Sequence, residues 1–393
     1  MIKRDKSIAI CIGTRPEIIK MAPVVQALRD QAQAVTLVHS GQHDSMAWPL
    51  YEFFDIKPDI IVDLTRKDSS LEHLSSRLIE SLGAQWRQFA PRAVLVHGDT
   101  STAAMAALTS FYAKVPIGHV EAGLRTGERY DPFPEEMNRT LIGRMADWHF
   151  APTRKAVENL ANEGLREQVH LVGNTAIDAA RWGLARLTTY WTRHPDRFPQ
   201  ELAPLATLDG SKRVLLITAH RRENWGHGIE QIATAVRQWL ESHANYVAVW
   251  PVHANPAVAD TVHRVFAASD QCLADRLILT APLDYPALLW VMQASWMILT
   301  DSGGIQEESA ALDKPVLVLR DTTERPELIT SGRGILTGAR RQSILHELNR
   351  LHESVGDYEH MCAGTNPFGD GHAAHRIASI CIAMGNEKLE MAA

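Results

Sequence analysis

The chain has 393 residues, 45% of them hydrophobic, and a formal net charge of −6 at pH 7. That length predicts about two domains, the composition carries no sign of disorder, and the negative balance argues against a general nucleic-acid or anionic-membrane surface. Four cysteines, Cys11, Cys272, Cys362 and Cys381, stand far apart without CxxC spacing, which predicts reduced thiols and neither a disulfide framework nor a zinc site.

The start, MIKRDKSIAICIGTRPE, has an apolar stretch too short for a secretion signal, and it ends in Arg15 and Glu17. The longest apolar stretch, ALLWVMQASWMILT (287–300), is also too short to span a bilayer. These features predict a soluble, cytoplasmic protein with no membrane and no nucleic-acid partner.

The first strand candidate is SIAICIG (7–13), running into IGTRPEIIKMAPVV (12–25). Pro16 fits the first turn of a helix, where its missing N–H costs nothing. Arg15 and Lys20 fall near that helix start, whose N–H groups favour anions; the plainer reading is a βα turn with solvated charges. VTLVHS (35–40), AVLVHGD (93–99) and PIGHVE (116–121) follow. Asp99, Glu121, Glu135 and Glu136 lie at the ends of apolar runs. Strand ends are where α/β proteins bind ligands, and acids gathered there shift one another's pKa, as general acid–base chemistry requires.

The stretch 182–212 is rich in Arg, Pro and Thr and has no clear strand. It reads as a connection between a domain of residues 1–181 and a second of residues 213–368. VLLITAH (214–220) opens the second domain and leads to AHRRENWGHG (219–228). There His220, Arg221 and Arg222 place cationic donors suited to phosphate at one strand end. GIEQIATAVRQWLE (228–241) is an amphipathic helix pattern, and YVAVWPVH (246–253) ends on His253. WMILTDS (296–302) runs into DSGGIQEESAAL (301–312), with a helix expected to begin near Ile305. Ser302, Gly303 and Gly304 form a turn that admits a diphosphate to backbone N–H groups. Glu307 and Glu308, one turn on, suit ribose hydroxyls; alternatively they are ordinary negative charge in a first helical turn. PVLVLRD (315–321) is the last strand run. Strands without strict alternation, interleaved with helices, predict parallel sheets covered on both faces, a doubly wound α/β fold. Metal binding is disfavoured, because no HExxH or EF-hand pattern occurs, and there is no GxSxG elbow.

One internal echo stands out. VLVHGDTSTAAMAALTSFYAKVPIGHVEAGLR and MILTDSGGIQEESAALDKPVLVLRDTTER share an order: strand, Asp with a hydroxyl residue, helix, Pro-led strand, acid and arginine. Two Rossmann-like halves would produce it, as would two ordinary β-α-β units. The arginines closing the two copies are Arg125 and Arg325.

Several motifs together resemble the non-hydrolysing UDP-N-acetylglucosamine 2-epimerases of bacteria. They are GTRPE (13–17), LVHGDT (95–100), GHVEAGLRTG (118–127), PFPEEMNR (132–139), VGNTAID (172–178), HRREN (220–224), PVHANP (251–256), LTDSGGIQEE (299–308), RDTTERPE (320–327) and NPFGDG (366–371). The resemblance implies a GT-B-like architecture of two Rossmann-like domains facing a cleft, with residues 369–393 forming a helix that crosses back to the first domain. It implies a homodimer that needs neither nicotinamide nor metal. It places the acidic catalytic positions on Asp99, Glu121 and Glu135 and an essential histidine on His220. Arg15, His253, Ser302, Gly303, Gly304 and Glu308 match nucleotide-contacting positions, and Lys20, Arg125 and Arg325 join that UDP-binding set. The implied reaction is reversible C2 epimerisation of UDP-GlcNAc to UDP-ManNAc for cell-surface polysaccharide precursors. A related UDP-diacetamido sugar or uronic acid is an alternative substrate, and a GT-B glycosyltransferase or a non-catalytic UDP-sugar sensor an alternative class. After Gln42 and His43, Asp44, Ser45 and Met46 replace the family's arginine and Met-Leu at a segment linked to activation by substrate, so near-hyperbolic kinetics are expected.

Overall fold

Among the described residues, thirteen short segments pair side by side as parallel strands, and their order explains where ligand-facing turns must fall. The structure, a computed structural model, describes residues 6–42, 44–64, 68–208, 210–267 and 269–390, the side chains of 44–46 and 385–390 excepted. Of the 42–46 segment, His43 and the side chains of Asp44, Ser45 and Met46 therefore lie outside the described residues. The chain divides into two units: residues up to Trp182 together with those from Phe368 onward, and Gly183–Pro367.

The first unit contains β1 (Ile8–Ile12), β2 (Val35–His39), β3 (Ile60–Ile61), β4 (Ala93–His97), β5 (Ile117–Val120), β6 (Trp148–Ala151) and β7 (Val169–Leu171). Their order is β3-β2-β1-β4-β5-β6-β7, and every pairing is parallel. The second unit contains β8 (Arg213–Thr218), β9 (Tyr246–Pro251), β10 (Leu277–Thr280), β11 (Ser295–Thr300), β12 (Val316–Val318) and β13 (Gly334–Leu336), in the order β10-β9-β8-β11-β12-β13. Both sheets reverse winding at the same place, between β1 and β4 and between β8 and β11. In doubly wound sheets ligands bind beyond the carboxyl ends of the strands at such a switch point. The chemistry of this chain is therefore expected on the turns that follow those four strands.

Helices cover both faces, as continuous apolar strands demand. All five residues of β1 are fully buried. On helix Leu71–Phe89 the buried residues are Leu74, Leu78, Leu82 and Trp86, one stripe at a spacing of four that faces the sheet. The Trp86 indole N–H donates to Thr109 Oγ1 at 2.9 Å, so its one polar atom is satisfied inside the core. In the second unit helix His227–Ser242 lays Ile229, Ile232, Val236 and Trp239 into the corresponding core. From Gly183 onward the stretch 182–212 packs as part of this unit: Trp191, Phe198 and Trp290 meet edge to face at 5.0–5.9 Å, and Leu202 and Leu205 are buried.

Helix Ala373–Glu390 belongs to the first unit. Its buried Ile377, Ala378 and Cys381 lie on a helix that packs against helix Arg15–Asp30. Its first N–H groups have no partner within their own helix. Asp178 supplies one, accepting from Ala374 N at 2.9 Å and Ala373 N at 3.3 Å. Asp178→Ala is expected to cost about 1–2 kcal/mol, the usual worth of a helix cap, read as a lower urea midpoint at unchanged slope.

Candidate active site

In the first unit the turns after β1 and β4 wall a cavity of about 430 Å³ lined by Thr14, Glu17, Lys20, His97, Asp99, Glu121 and Glu135, among others. Residue 13 has no room for a side chain, because the segments following β2 and β4 crowd it. A Cβ on Gly13 would stand 1.9 Å from Ser40 Oγ and 2.7 Å from Thr102 Oγ1.

Glu17 ties the turns after β1 and β4 together. Thr14 caps helix Arg15–Asp30, and Glu17 three residues on closes a capping box. Glu17 Oε2 accepts from Gly13 N at 2.9 Å, Thr14 N at 2.8 Å and Thr14 Oγ1 at 2.9 Å, while Oε1 accepts from Thr100 Oγ1 at 2.7 Å. Burial outweighs these four bonds and pushes its pKa from an ordinary 4.5 up to about 7. A proton held more tightly by the folded than by the unfolded chain stabilises the fold below the unfolded pKa, and that gain is lost as pH rises through the folded one. Wild type is therefore expected to lose up to about 3 kcal/mol relative to Glu17→Gln as pH rises from below 4.5 to above 7. Urea titrations of both proteins across that range check it.

Glu121 stands immediately after β5 with φ = +64°, the left-handed region that a non-glycine residue adopts at a cost of about 1–3 kcal/mol. The Lys20 ammonium is ion-paired with Glu121 Oε1, and His97 Nε2 lies 3.8 Å from Oε2. Asp99 follows β4, and its carbonyl accepts from Asn138 Nδ2 at 2.8 Å. Its carboxylate, 27% exposed, has Arg139 Nε 3.4 Å away. Burial raises the Asp99 pKa to about 6; Arg139 opposes the rise, and the charges of Glu121 and Glu135 add to it. Glu135 opens helix Glu135–Met145. The neighbouring Glu136 has a different task. It is buried, pairs with Arg139 at 3.2 Å, and accepts from the backbone of Thr126 and Gly127 at 3.1 Å.

In the second unit the turns after β8 and β11 are joined by Asp301, which is fully buried. Its Oδ2 accepts from His220 N, Arg221 N and Asn224 Nδ2, each at 2.9 Å. His220 Nδ1 stands 3.4 Å from Oδ1. The ring stacks on His253 at 6.0 Å between centroids and 15° between planes. Burial pushes the His220 pKa down against the pull of Asp301. Ser302 is the residue preceding helix Gly303–Ala311, and its side chain makes no capping bond; the two glycines are the first residues of the helix, which begins before Ile305. A Cβ on Gly304 would meet nothing within 4 Å, which leaves its backbone open to an approaching group. Glu307, buried, is ion-paired with Arg325, and Glu308 lies one residue on, close enough to Tyr285 for its charge to help burial raise the phenol pKa.

The structure thus gathers Lys20, Asp99, Glu121 and Glu135 around one cavity, and ties His220 through Asp301 to the turn that leads into Ser302, Gly303 and Gly304, with His253 against the His220 ring. Arg125 is outside both groups: its guanidinium holds Glu163 through two bonds, at 2.6 and 3.0 Å. Arg15 is half-buried at the start of its helix and is not among the cavity-lining residues. Glu17, Arg139 and Asp301 were not singled out by sequence. The Thr-x-x-Glu spacing at 14–17 signals the first, and the Glu-x-x-Arg spacing at 136–139 the second.

Two sheets with one winding, an acid-lined cavity in one unit and a histidine–glycine turn in the other define an enzyme of GT-B-like fold. The sequence model described as UDP-N-acetylglucosamine 2-epimerase matches residues 26–382. The chain is 42% identical over 367 residues to the UDP-N-acetylglucosamine 2-epimerase of Yersinia pestis, covering 93% of this chain and 95% of that one. It is 41% identical over 368 residues to that of Escherichia coli K12, with the same coverage of 93% and 95%. Its fold is similar to that of a UDP-GlcNAc 2-epimerase from Neisseria meningitidis solved with UDP-GlcNAc bound, at a TM-score of 0.84 and 37% identity over 96% of this chain and 100% of that one. The chain belongs to the UDP-N-acetylglucosamine 2-epimerase family, a family of isomerases.

Proposed function

We propose that this chain interconverts UDP-GlcNAc and UDP-ManNAc by inverting C2 of the sugar. The observation that carries the reading is the convergence of Asp99, Glu121 and Glu135 on one cavity, with Asp99 poised near pH 6. The C2–H bond has no neighbouring carbonyl, so direct deprotonation would leave an unstabilised carbanion. Breaking the C1–O bond first sends its electron pair to UDP and builds positive charge on the ring, which acidifies C2–H. Loss of that proton to a carboxylate gives 2-acetamidoglucal and UDP. Delivery of a proton to the opposite face of C2, with the UDP oxygen returning to C1, gives the epimer. Proton-transfer groups must therefore reach both faces, and each is base in one direction and acid in the other. A carboxyl group near neutrality suits both tasks.

The reading assigns the sugar to the acids of the first unit. It assigns the departing diphosphate to Arg15, His220 and the open helix start at Ser302–Gly304, and the ribose to Glu308. Among the described residues no helix is long and apolar enough to cross a membrane, and the reading places the enzyme in the cytoplasm. It also takes the enzyme as a homodimer. Phe111, Tyr112 and Leu141, on neighbouring helices of the first unit, are exposed by 50–67%, which suits a self-interface; sedimentation velocity tests it.

The deciding experiment is incubation with UDP-GlcNAc in D2O, without added nicotinamide or metal, followed by NMR at C2. Deuterium at C2 in a mixture of epimers is expected. No exchange in acceptor-free substrate points to transfer or sensing, and release of free ManNAc with UDP identifies hydrolysis.

A further inference from the structure

Asp301 carries one carboxylate oxygen too few partners for its burial. Oδ2 has three donors. Oδ1 is fully buried and has no hydrogen-bond partner among the described residues, a state that folded proteins seldom leave uncompensated. His220 Nδ1 stands 3.4 Å from it, within reach of a hydrogen bond once the ring is aligned. The backbone of residue 220 is fixed on both sides of the ring's attachment, although the side chain itself is 45% exposed. Its backbone N–H is fastened to the same carboxylate, its carbonyl accepts from Trp225 Nε1 at 2.9 Å, and its ring lies parallel to that of His253.

We propose that Asp301 is the positioning residue of His220, holding the ring as the Nδ1–H tautomer so that Nε2 is free to take up a proton when a diphosphate arrives. The diphosphate part of this inference rests on the function proposed above; the tautomer does not. Which ring nitrogen carries the proton is set by the hydrogen bond made by the other. A buried carboxylate on Nδ1 fixes that choice and stabilises the imidazolium formed when Nε2 gains a proton from solvent. The cation then donates Nε2–H to a phosphate oxygen. Asp301 raises the proton affinity of the ring, while burial and the facing groups His253 and Arg221 lower it. The ring is therefore neutral until an anion tips the balance.

Asp301→Asn separates this role from a merely structural one. An asparagine whose carbonyl oxygen replaces Oδ2 keeps the three donors and sets an NH2 group against Nδ1, which forces Nδ1 to accept and moves the proton to Nε2. The test is long-range proton–nitrogen NMR of nitrogen-15 histidine-labelled protein, with His220 assigned by its absence from His220→Gln. The wild type at alkaline pH should show His220 protonated at Nδ1, and Asp301→Asn should show it protonated at Nε2. Addition of UDP at neutral pH should protonate both nitrogens in the wild type only. Turnover of Asp301→Asn should fall roughly 10²-fold with KM little changed. A wild-type ring protonated at Nε2, or one tautomer shared by both proteins, overturns the inference. Because these spectra need no turnover, that result leaves the epimerase reading standing, whereas a failed D2O exchange leaves the tautomer intact.

Discussion

Asp99→Asn is expected to lower turnover by roughly 10²–10⁴-fold, the range for loss of a general acid–base group, while UDP affinity stays nearly constant. The substitution preserves shape and removes the proton. The backbone carbonyl of residue 99 still accepts from Asn138, so the turn keeps its anchor. A variant that instead loses UDP binding in proportion to rate would make Asp99 a structural residue. The pH profile gives a second check. Asp99 titrates near pH 6 because burial and two neighbouring acids oppose its charge. Below that pH the carboxyl holds its proton and cannot act as base, so kcat/KM should rise as pH passes about 6. The net reaction neither releases nor consumes a proton, so this limb must sit at the same pH in both directions. Assays of UDP-GlcNAc and UDP-ManNAc across the acid range read it directly.

Lys20→Met is expected to cost about 3–5 kcal/mol of stability, because removing one partner of a buried ion pair leaves the other charge uncompensated. The side chains of Lys20 and Glu121 are 11% and 10% exposed, so water relieves little of that cost. Turnover should fall as well, since Glu121 loses the contact that holds it toward the cavity. The double variant Lys20→Met/Glu121→Gln should regain most of the stability and none of the activity. If Lys20 serves the nucleotide instead, its replacement should weaken UDP binding and leave the melting curve unmoved. Guanidinium melts and UDP titration of the same preparations separate the two.

The middle strands of each sheet were legible because they are mostly buried and lie in mostly apolar runs: β1, β2, β4 and β5, then β8, β9, β11 and β12. The other five, β3, β6, β7, β10 and β13, escaped notice; all but β6 are sheet edges. All five are two to four residues long; β12 is as short, but it stands in the longer apolar run PVLVL (315–319). β6 also hides behind a polar letter: His149 is buried and its pKa is pushed down to about 4, so at neutral pH it is an uncharged core residue. The site divides the same way. Acids at strand ends could be found from the strands. The tasks of Glu17 and Asp301 could not, because each is defined by the two turns it joins, and which turns are neighbours depends on strand order. The echo between the two halves does have a counterpart. Asp99 and Asp301 follow the fourth strand of their respective sheets, yet one faces a cavity and the other anchors a loop.

Because helix Ala373–Glu390 completes the first unit while the whole of the second lies before it in the sequence, order of emergence and order of completion are opposed during synthesis. A domain emerging first from the ribosome ordinarily folds first. Here the leading half must wait, with the apolar face of helix Arg15–Asp30 partly uncovered, until Ile377, Ala378 and Cys381 arrive. The trailing half, continuous from Gly183 to Pro367, is under no such delay. A stalled nascent chain ending before Ala373 should therefore present a protease-resistant second half joined to a first half that is still cut readily.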